Sequence, residues 1–271
     1  MTITRPLIPK EHGAWAILFI PMFTVALVLD AMRIEFLFLT LSTLFYFLCY
    51  LPAQTMLRHY LLQKQPADKL QPATLWFFVY FSIGSFFAFL ILKNGFEYLW
   101  IIGGINLCCF LAQFVLERTF QKSLASDLIS TAGLTTTSIA AYYVITSAID
   151  GDAIRLYILN FLFFGSNVLY VYTKIRATSL KQERLSMTDK FTIVRLLIIY
   201  HLLVIGIVVY FVSVYYTPLL TMLSFAPMTL HAIVGVIKLE KKVQFQRLGF
   251  LLLVQSILFS IILGTTFRSP S

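Results

Sequence analysis

The residues best suited to chemistry stand at the ends of apolar stretches. Pro9-Lys10-Glu11-His12-Gly13-Ala14-Trp15-Ala16 sets a base, an acid and an imidazole side by side before an apolar run. Two readings stand for it. One is interfacial capping, with Lys10 on lipid phosphates, Trp15 in the aromatic belt and Glu11 near a helix N-terminus, where negative charge is favoured. The other turns Glu11 and His12 toward a cavity, where they handle protons or a polar ligand. Gln54 and Arg58, four apart, share one helix face just after Pro52, which frees a carbonyl and kinks the helix. Arg58 either snorkels to headgroups or lines a wet cavity. Asn160, Asn167 and Lys174 recur at intervals of seven, one helical stripe with Arg176 just beyond it. Such amides either bond neighbouring helices or, with Lys174 and Arg176 at the mouth, hold an anionic headgroup or a diphosphate.

Further polar stripes lie elsewhere. Asn106, Gln113 and Glu117 form one, and Ser224, Pro227, His231 and Lys238 fall roughly on one side of another apolar segment. Arg195 and His201 fall inside a third; ionisable residues inside a membrane are functional candidates by default. Arg195 could also snorkel, and His201 reads as a hydrogen-bonded packing residue. The histidines His12, His59, His201 and His231 are accompanied by no C-x-x-C-H haem attachment motif, and His201 reads as deeper than the rest, so haem is disfavoured. Neither a P-loop nor a Gly-rich dinucleotide motif nor H-E-x-x-H occurs. The sequence names no cofactor, no catalytic residue and no metal site.

The elements that must position these residues are membrane spans. Of the 271 residues 59% are hydrophobic and 12% charged, about half the charge of a soluble domain. Nine segments approach the roughly 20 apolar residues a span needs: 14–32, 36–57, 74–93, 97–116, 128–148, 153–173, 191–213, 215–236 and 248–266. The fifth carries Thr135, Thr136, Thr137 and Ser138, a composition tolerated where hydroxyls bond the backbone and face protein. The first reads as an uncleaved signal anchor. Cys49, Cys108 and Cys109 all fall within apolar stretches and read as buried thiols rather than a disulfide framework. With nine spans, 16 Lys and Arg residues fall on the side of the N-terminal tail and 4 on the other, Arg195 lying within a span. That asymmetry places the N-terminus in the cytoplasm and the C-terminus outside. It also accounts for the net charge of +9 without nucleic acid.

The run Pro9–Ala16 resembles the opening motif of the YwiC-like family of bacterial membrane proteins. Arg58 after the second span and Tyr170-Val171-Tyr172-Thr173-Lys174-Ile175-Arg176 after the sixth support the resemblance, which extends over most of the chain. It implies a membrane protein and brings no activity with it. The architecture is similar to that of the UbiA superfamily of membrane prenyltransferases, which hold Mg²⁺ and a prenyl diphosphate on Asp-rich motifs after spans two and six. Here those places carry Gln54 and Arg58, then Lys174 and Arg176, with no D-x-x-D or D-x-x-x-D. Mg²⁺ needs hard oxygen ligands, so the resemblance transfers no catalytic residue and no metal.

The expected fold is all-α: one integral membrane domain, 1–271, a UbiA-like bundle of about nine transmembrane helices in the cell membrane. The expected function is binding or processing of a lipidic, isoprenoid or anionic small molecule in a polar, basic cavity on the cytoplasmic side. Glu11, His12, Arg58, Lys174 and Arg176 are expected to converge there. The alternatives are a small-molecule transporter and a structural or assembly subunit of a membrane complex.

Overall fold

A computed structural model describes residues 6–9, 12–62, 69–120, 123–179, 187–214, 217–237, 239 and 243–267. The described chain is helical. Its elements are α1 (His12–Leu29), α2 (Ile34–Leu62), α3 (Leu70–Lys93), α4 (Leu99–Phe120), α5 (Leu124–Thr135), α6 (Thr137–Thr146), α7 (Gly151–Ser179), α8 (Met187–Val214), a 3-10 helix (Leu219–Phe225), α9 (Ala226–Ile237) and α10 (Phe245–Thr266). Eight helical segments among the described residues are long and apolar enough to cross a membrane, with α5–α6 and the 3-10 helix–α9 each counted as one; α1 is a shorter apolar helix. Its 18 residues extend about 27 Å at 1.5 Å per residue, close to the roughly 30 Å hydrocarbon core.

Side-chain contacts sort the helix ends into two groups. At one end Arg33, before α2, donates to Ser147 Oγ at 2.9 Å, and Asn94, after α3, donates to Glu35 at 3.2 Å. Arg155, early in α7, reaches Thr217 at 3.3 Å and lies over the ring of Phe267, which follows α10. At the other end Arg58 of α2 meets Glu117 of α4, and Lys174 of α7 meets Gly235 of α9. Among the described residues the helical segments therefore alternate through nine traverses, and α1 starts at the Lys174 end while α10 finishes at the Arg155 end.

Termini are set locally. Ser123 caps α5 by accepting from the Ser126 N–H at 3.2 Å. Asp150 caps α7, its carboxylate accepting from Asp152 N at 2.9 Å and Ala153 N at 3.1 Å. Each bond satisfies a helix donor that lipid cannot. The turn from α3 to α4 passes through Gly95 at φ +90°, a conformation that favours glycine.

The fifth span, expected as one helix, is two helices meeting at Thr136. Its hydroxyls bond back to main-chain carbonyls: Thr135 to Thr131 at 2.8 Å, Thr136 to Gly133 at 2.7 Å and Ser138 to Thr135 at 2.8 Å. Thr137 crosses to the Leu18 carbonyl of α1 at 2.8 Å. The eighth span likewise changes character, from 3-10 to α at Ala226. The fifth span and α7 are the most buried of the spans, whereas α3 and α4 present much of their surface outward. Cys108, expected to be buried, is exposed for that reason, while Cys49 is buried and Cys109 intermediate. Arg195 also points outward from α8.

Candidate functional site

Two polar clusters occupy the Lys174 end. The first joins α2 to α4. Tyr50, Gln54 and Arg58 follow one another at intervals of four along α2, the spacing that puts side chains on one face. Glu117 accepts from Gln113 at 3.0 Å on one carboxylate oxygen, and from Gln54 and Arg58 at 3.3 Å each on the other. Gln113 also donates to the Tyr50 hydroxyl at 3.1 Å. Three donors on one carboxylate hold the anion against an apolar surround, and one of them carries the balancing charge. The Arg58 side chain is 39% exposed and that of Glu117 17%, so the acid faces inward and the guanidinium reaches the surface. Solvent screens that pair, which limits its worth to about 1 kcal/mol.

The second cluster joins α7, α9 and α10. The Lys174 ammonium is buried at 8% exposure. It donates to the Gly235 carbonyl at 2.9 Å and lies 5.4 Å from the centroid of the Tyr170 ring. Tyr170 packs so closely on α9 that a Cβ at Gly235 would overlap its ring. Gln255 of α10 donates to the Pro227 carbonyl at 3.3 Å, which turns its oxygen to His231 Nδ1 at 3.2 Å. Nδ1 of the neutral imidazole therefore carries the proton, and Nε2 accepts from the Tyr170 hydroxyl at 3.2 Å. The bonds run in one direction, from Tyr170 through His231 and Gln255 to the Pro227 carbonyl. A buried ammonium, a phenol, an imidazole and a carboxamide within one inter-helix seam can bind an anion or pass a proton.

Of the residues expected at the site, Arg58 belongs to the first cluster and Lys174 to the second. Arg176, half-buried, lies beyond Lys174 with its guanidinium 5.8 Å from the centroid of the Tyr172 ring. His12 begins α1; its side chain and Glu11 lie outside the described residues. Glu117, Gln113 and Gln54 stood out in the sequence by their spacing, and the structure adds that the two stripes meet. Gln255 did not stand out, being a single amide in an apolar helix. Asn106, Gln113, Asn160 and Asn167 all turn toward protein: Asn106 bonds Thr136, and the other three are buried. His201 bonds the Leu197 carbonyl of its own helix at 2.8 Å.

These features define a polytopic, all-helical membrane protein with polar clusters buried between its helices. The YwiC-like protein family model matches residues 8–142, and over those residues the chain belongs to the YwiC-like family. The match takes in α1 to α4, the α2–α4 cluster and the break at Thr136. It covers about half of the chain, less than the resemblance implied, and Tyr170–Arg176 lies outside it. No curated protein and no solved structure matches the chain.

Proposed function

We propose that this protein binds an anionic amphiphile, of the lipid-phosphate or isoprenoid-phosphate class, at the Lys174 end of its bundle. The observation that carries the reading is the Lys174 ammonium, held at 8% exposure inside a helix long enough to span. A buried cation is costly without compensating groups. The Tyr170 ring and the Gly235 carbonyl lie beside the ammonium, and a phosphate oxygen at this end of the bundle would be attracted by its charge. Arg176, two residues beyond Lys174, and Arg58 on α2 extend the positive field along this end. By the sequence reading, Glu11 and His12 would complete the proposed mouth. The distribution of Lys and Arg supports a cytoplasmic position for this end, in a protein of the cell membrane. Processing of the ligand is compatible with the neighbouring Tyr170–His231 pair, which can exchange a proton.

A transporter is the second reading. The specific observation favouring it is that spans five and eight are both interrupted, at Thr136 and Ala226. Discontinuous spanning helices commonly line substrate and ion sites.

Native mass spectrometry of the protein released from detergent tests the first reading. Phosphate-headed lipids and undecaprenyl phosphate, added at equal concentration with a zwitterionic lipid, should be retained preferentially. Lys174→Met should remove that preference, while Lys93→Met, at the opposite end, should leave it. Equal retention of anionic and zwitterionic lipids by the unaltered protein would refute the assignment.

A further inference from the structure

The seam between α7, the eighth span and α10 is polar along nearly its whole length. The register shows this. Arg155 pairs with Thr217, Phe163 with Phe225, Tyr170 with His231 and Lys174 with Gly235, at sequence separations of 62, 62, 61 and 61. α7 and the eighth span therefore run parallel in constant register, and Asn160 stands level with Thr221. Arg155 over Phe267 and Phe163 on Phe259 fix α10 antiparallel to both, which sets Asn167 level with Gln255.

The levels then read, from the Lys174 end: Lys174, then Tyr170 with His231, then Asn167 with Gln255. Next comes a layer of three rings, Phe163, Phe225 and Phe259, followed by Asn160 with Thr221. Arg155 with Asp152 and Thr217 completes the seam. Only the ring layer interrupts the polar groups. Its centroids are 4.1 Å apart for Phe163–Phe259, 5.4 Å for Phe225–Phe259 and 6.4 Å for Phe163–Phe225.

A second observation distinguishes this seam from ordinary inter-helix bonding. The carboxamide oxygens of Asn160 and Asn167 and the hydroxyl of Thr221 are buried and have no hydrogen-bond partner. Asn160 and Thr221 are 0% exposed and Asn167 7%. Asn160 spends its amide on the Leu156 carbonyl at 2.8 Å, which fixes its oxygen as the free acceptor. Amides present only to join helices would be bonded, because an unsatisfied buried acceptor costs about 1–3 kcal/mol. These three flank the ring layer on both sides and ask for donors small enough to enter a packed interior.

We propose that the seam is a proton path, in which water carries the proton between the polar levels and the phenylalanine layer is the gate. At the histidine a proton from water on the Lys174 side enters on Nε2, the atom that now accepts from Tyr170; the imidazolium turns, Nε2 releases that proton to water on the Asn167 side, and the ring turns back with Nδ1 still protonated. The ring is neutral before and after. The proton then passes along water bonded to Asn167 and, once the rings part, to Asn160 and Thr221. Apolar constrictions of this kind close a path by excluding water.

The test uses the full chain in liposomes with a trapped pH-sensitive dye, with proton entry driven by a potassium diffusion potential. Phe163→Ala should raise proton flux severalfold above the unaltered protein. The double variant Phe163→Ala/Asn167→Leu should return it to the unaltered level, since leucine is of similar size and cannot hold water. Three results would overturn the proposal: Phe163→Ala flux equal to that of protein-free vesicles, flux that survives Asn167→Leu, or sodium leakage as fast as proton leakage. If Phe163→Ala does not yield monodisperse protein, Phe163→Leu, which removes the ring stack with a smaller loss of volume, is read in the same way.

Discussion

Replacing Gly235 by alanine tests the α7–α9 packing at one atom. The added Cβ would overlap the Tyr170 ring, whose nearest carbons lie 2.7 Å from its position. Tyr170 is buried, and its hydroxyl is tied to His231 at 3.2 Å, so the ring can move only by breaking that bond. Overpacking of a core costs about 1–3 kcal/mol, and one intramolecular hydrogen bond is worth about 1 kcal/mol net. The expected loss is therefore about 2–4 kcal/mol, a fall in melting temperature on the order of 10 °C by the scaling of soluble chains. Thermal unfolding in detergent, followed by the monodisperse peak in size-exclusion chromatography, measures it. Gly206→Ala in α8 is the control, because nothing lies within 4 Å of its added Cβ; it should be neutral or stabilise by up to about 1 kcal/mol. In a Tyr170→Leu background the Gly235→Ala cost should shrink below about 1 kcal/mol, since the two sites are coupled through one contact. A Gly235→Ala protein melting with the unaltered one would show that the close α7–α9 approach is wrong, and the Lys174 assignment with it.

Gly133→Ala should cost about 1–3 kcal/mol by the same overpacking argument, because its Cβ would stand 2.9 Å from Cys109 Cβ; unfolding in detergent reads this out. A double-mutant cycle of Arg58→Gln and Glu117→Gln should give a coupling below about 1 kcal/mol, as the Arg58 side chain is partly exposed; several kcal/mol would mean a drier α2–α4 cluster than the structure has. A reporter fused after Ser271 should be exported and one inserted between 179 and 187 retained; both on one side would contradict nine traverses. Purified protein should show no magnesium-dependent turnover of a prenyl diphosphate, for want of paired carboxylates after α2 and α7, and a magnesium-dependent product would overturn that.

Much of the architecture could be read from the chain because lipid leaves so little choice. A run of apolar residues of sufficient length must be a helix, and the nine segments appear, though α2 and α7 continue beyond the spans expected for them. The break at Thr136 was foreshadowed only as a hydroxyl-rich composition; where it falls depends on Thr137 finding the Leu18 carbonyl of another helix. Spacing put Gln54 and Arg58 on one face, and Gln113 and Glu117 on another, but spacing cannot say that two faces meet. Lys174 was visible as the end of a stripe. Its neighbours belong to other helices: His231 lies 61 residues on from Tyr170, and Gln255 a further 24. Periodicity within one helix holds no information about such pairings. For Arg195 the sequence leaves both a functional role and snorkelling open, and its exposed side chain agrees with the second; depth in a span does not say which way a side chain turns.

The packing of α1 against α10 bears on how the protein is made. Thr24 and Ser260 share a buried hydrogen bond across 236 residues of chain, and a Cβ at Gly264 would stand 2.9 Å from Leu27 Cβ. At ribosomal rates of about 5–20 residues per second, α1 waits roughly 10–50 s in the bilayer before its partner helix exists. During that interval its Thr24 hydroxyl can bond its own helix, at the Ile20 carbonyl, and the face that carries Thr24 and Leu27 lacks the α10 surface it packs on. α10 covers this face of α1 long after α1 has been inserted. A ribosome stalled before α10 would leave an unlatched bundle, a form that membrane proteases and insertion chaperones could tell from the finished protein.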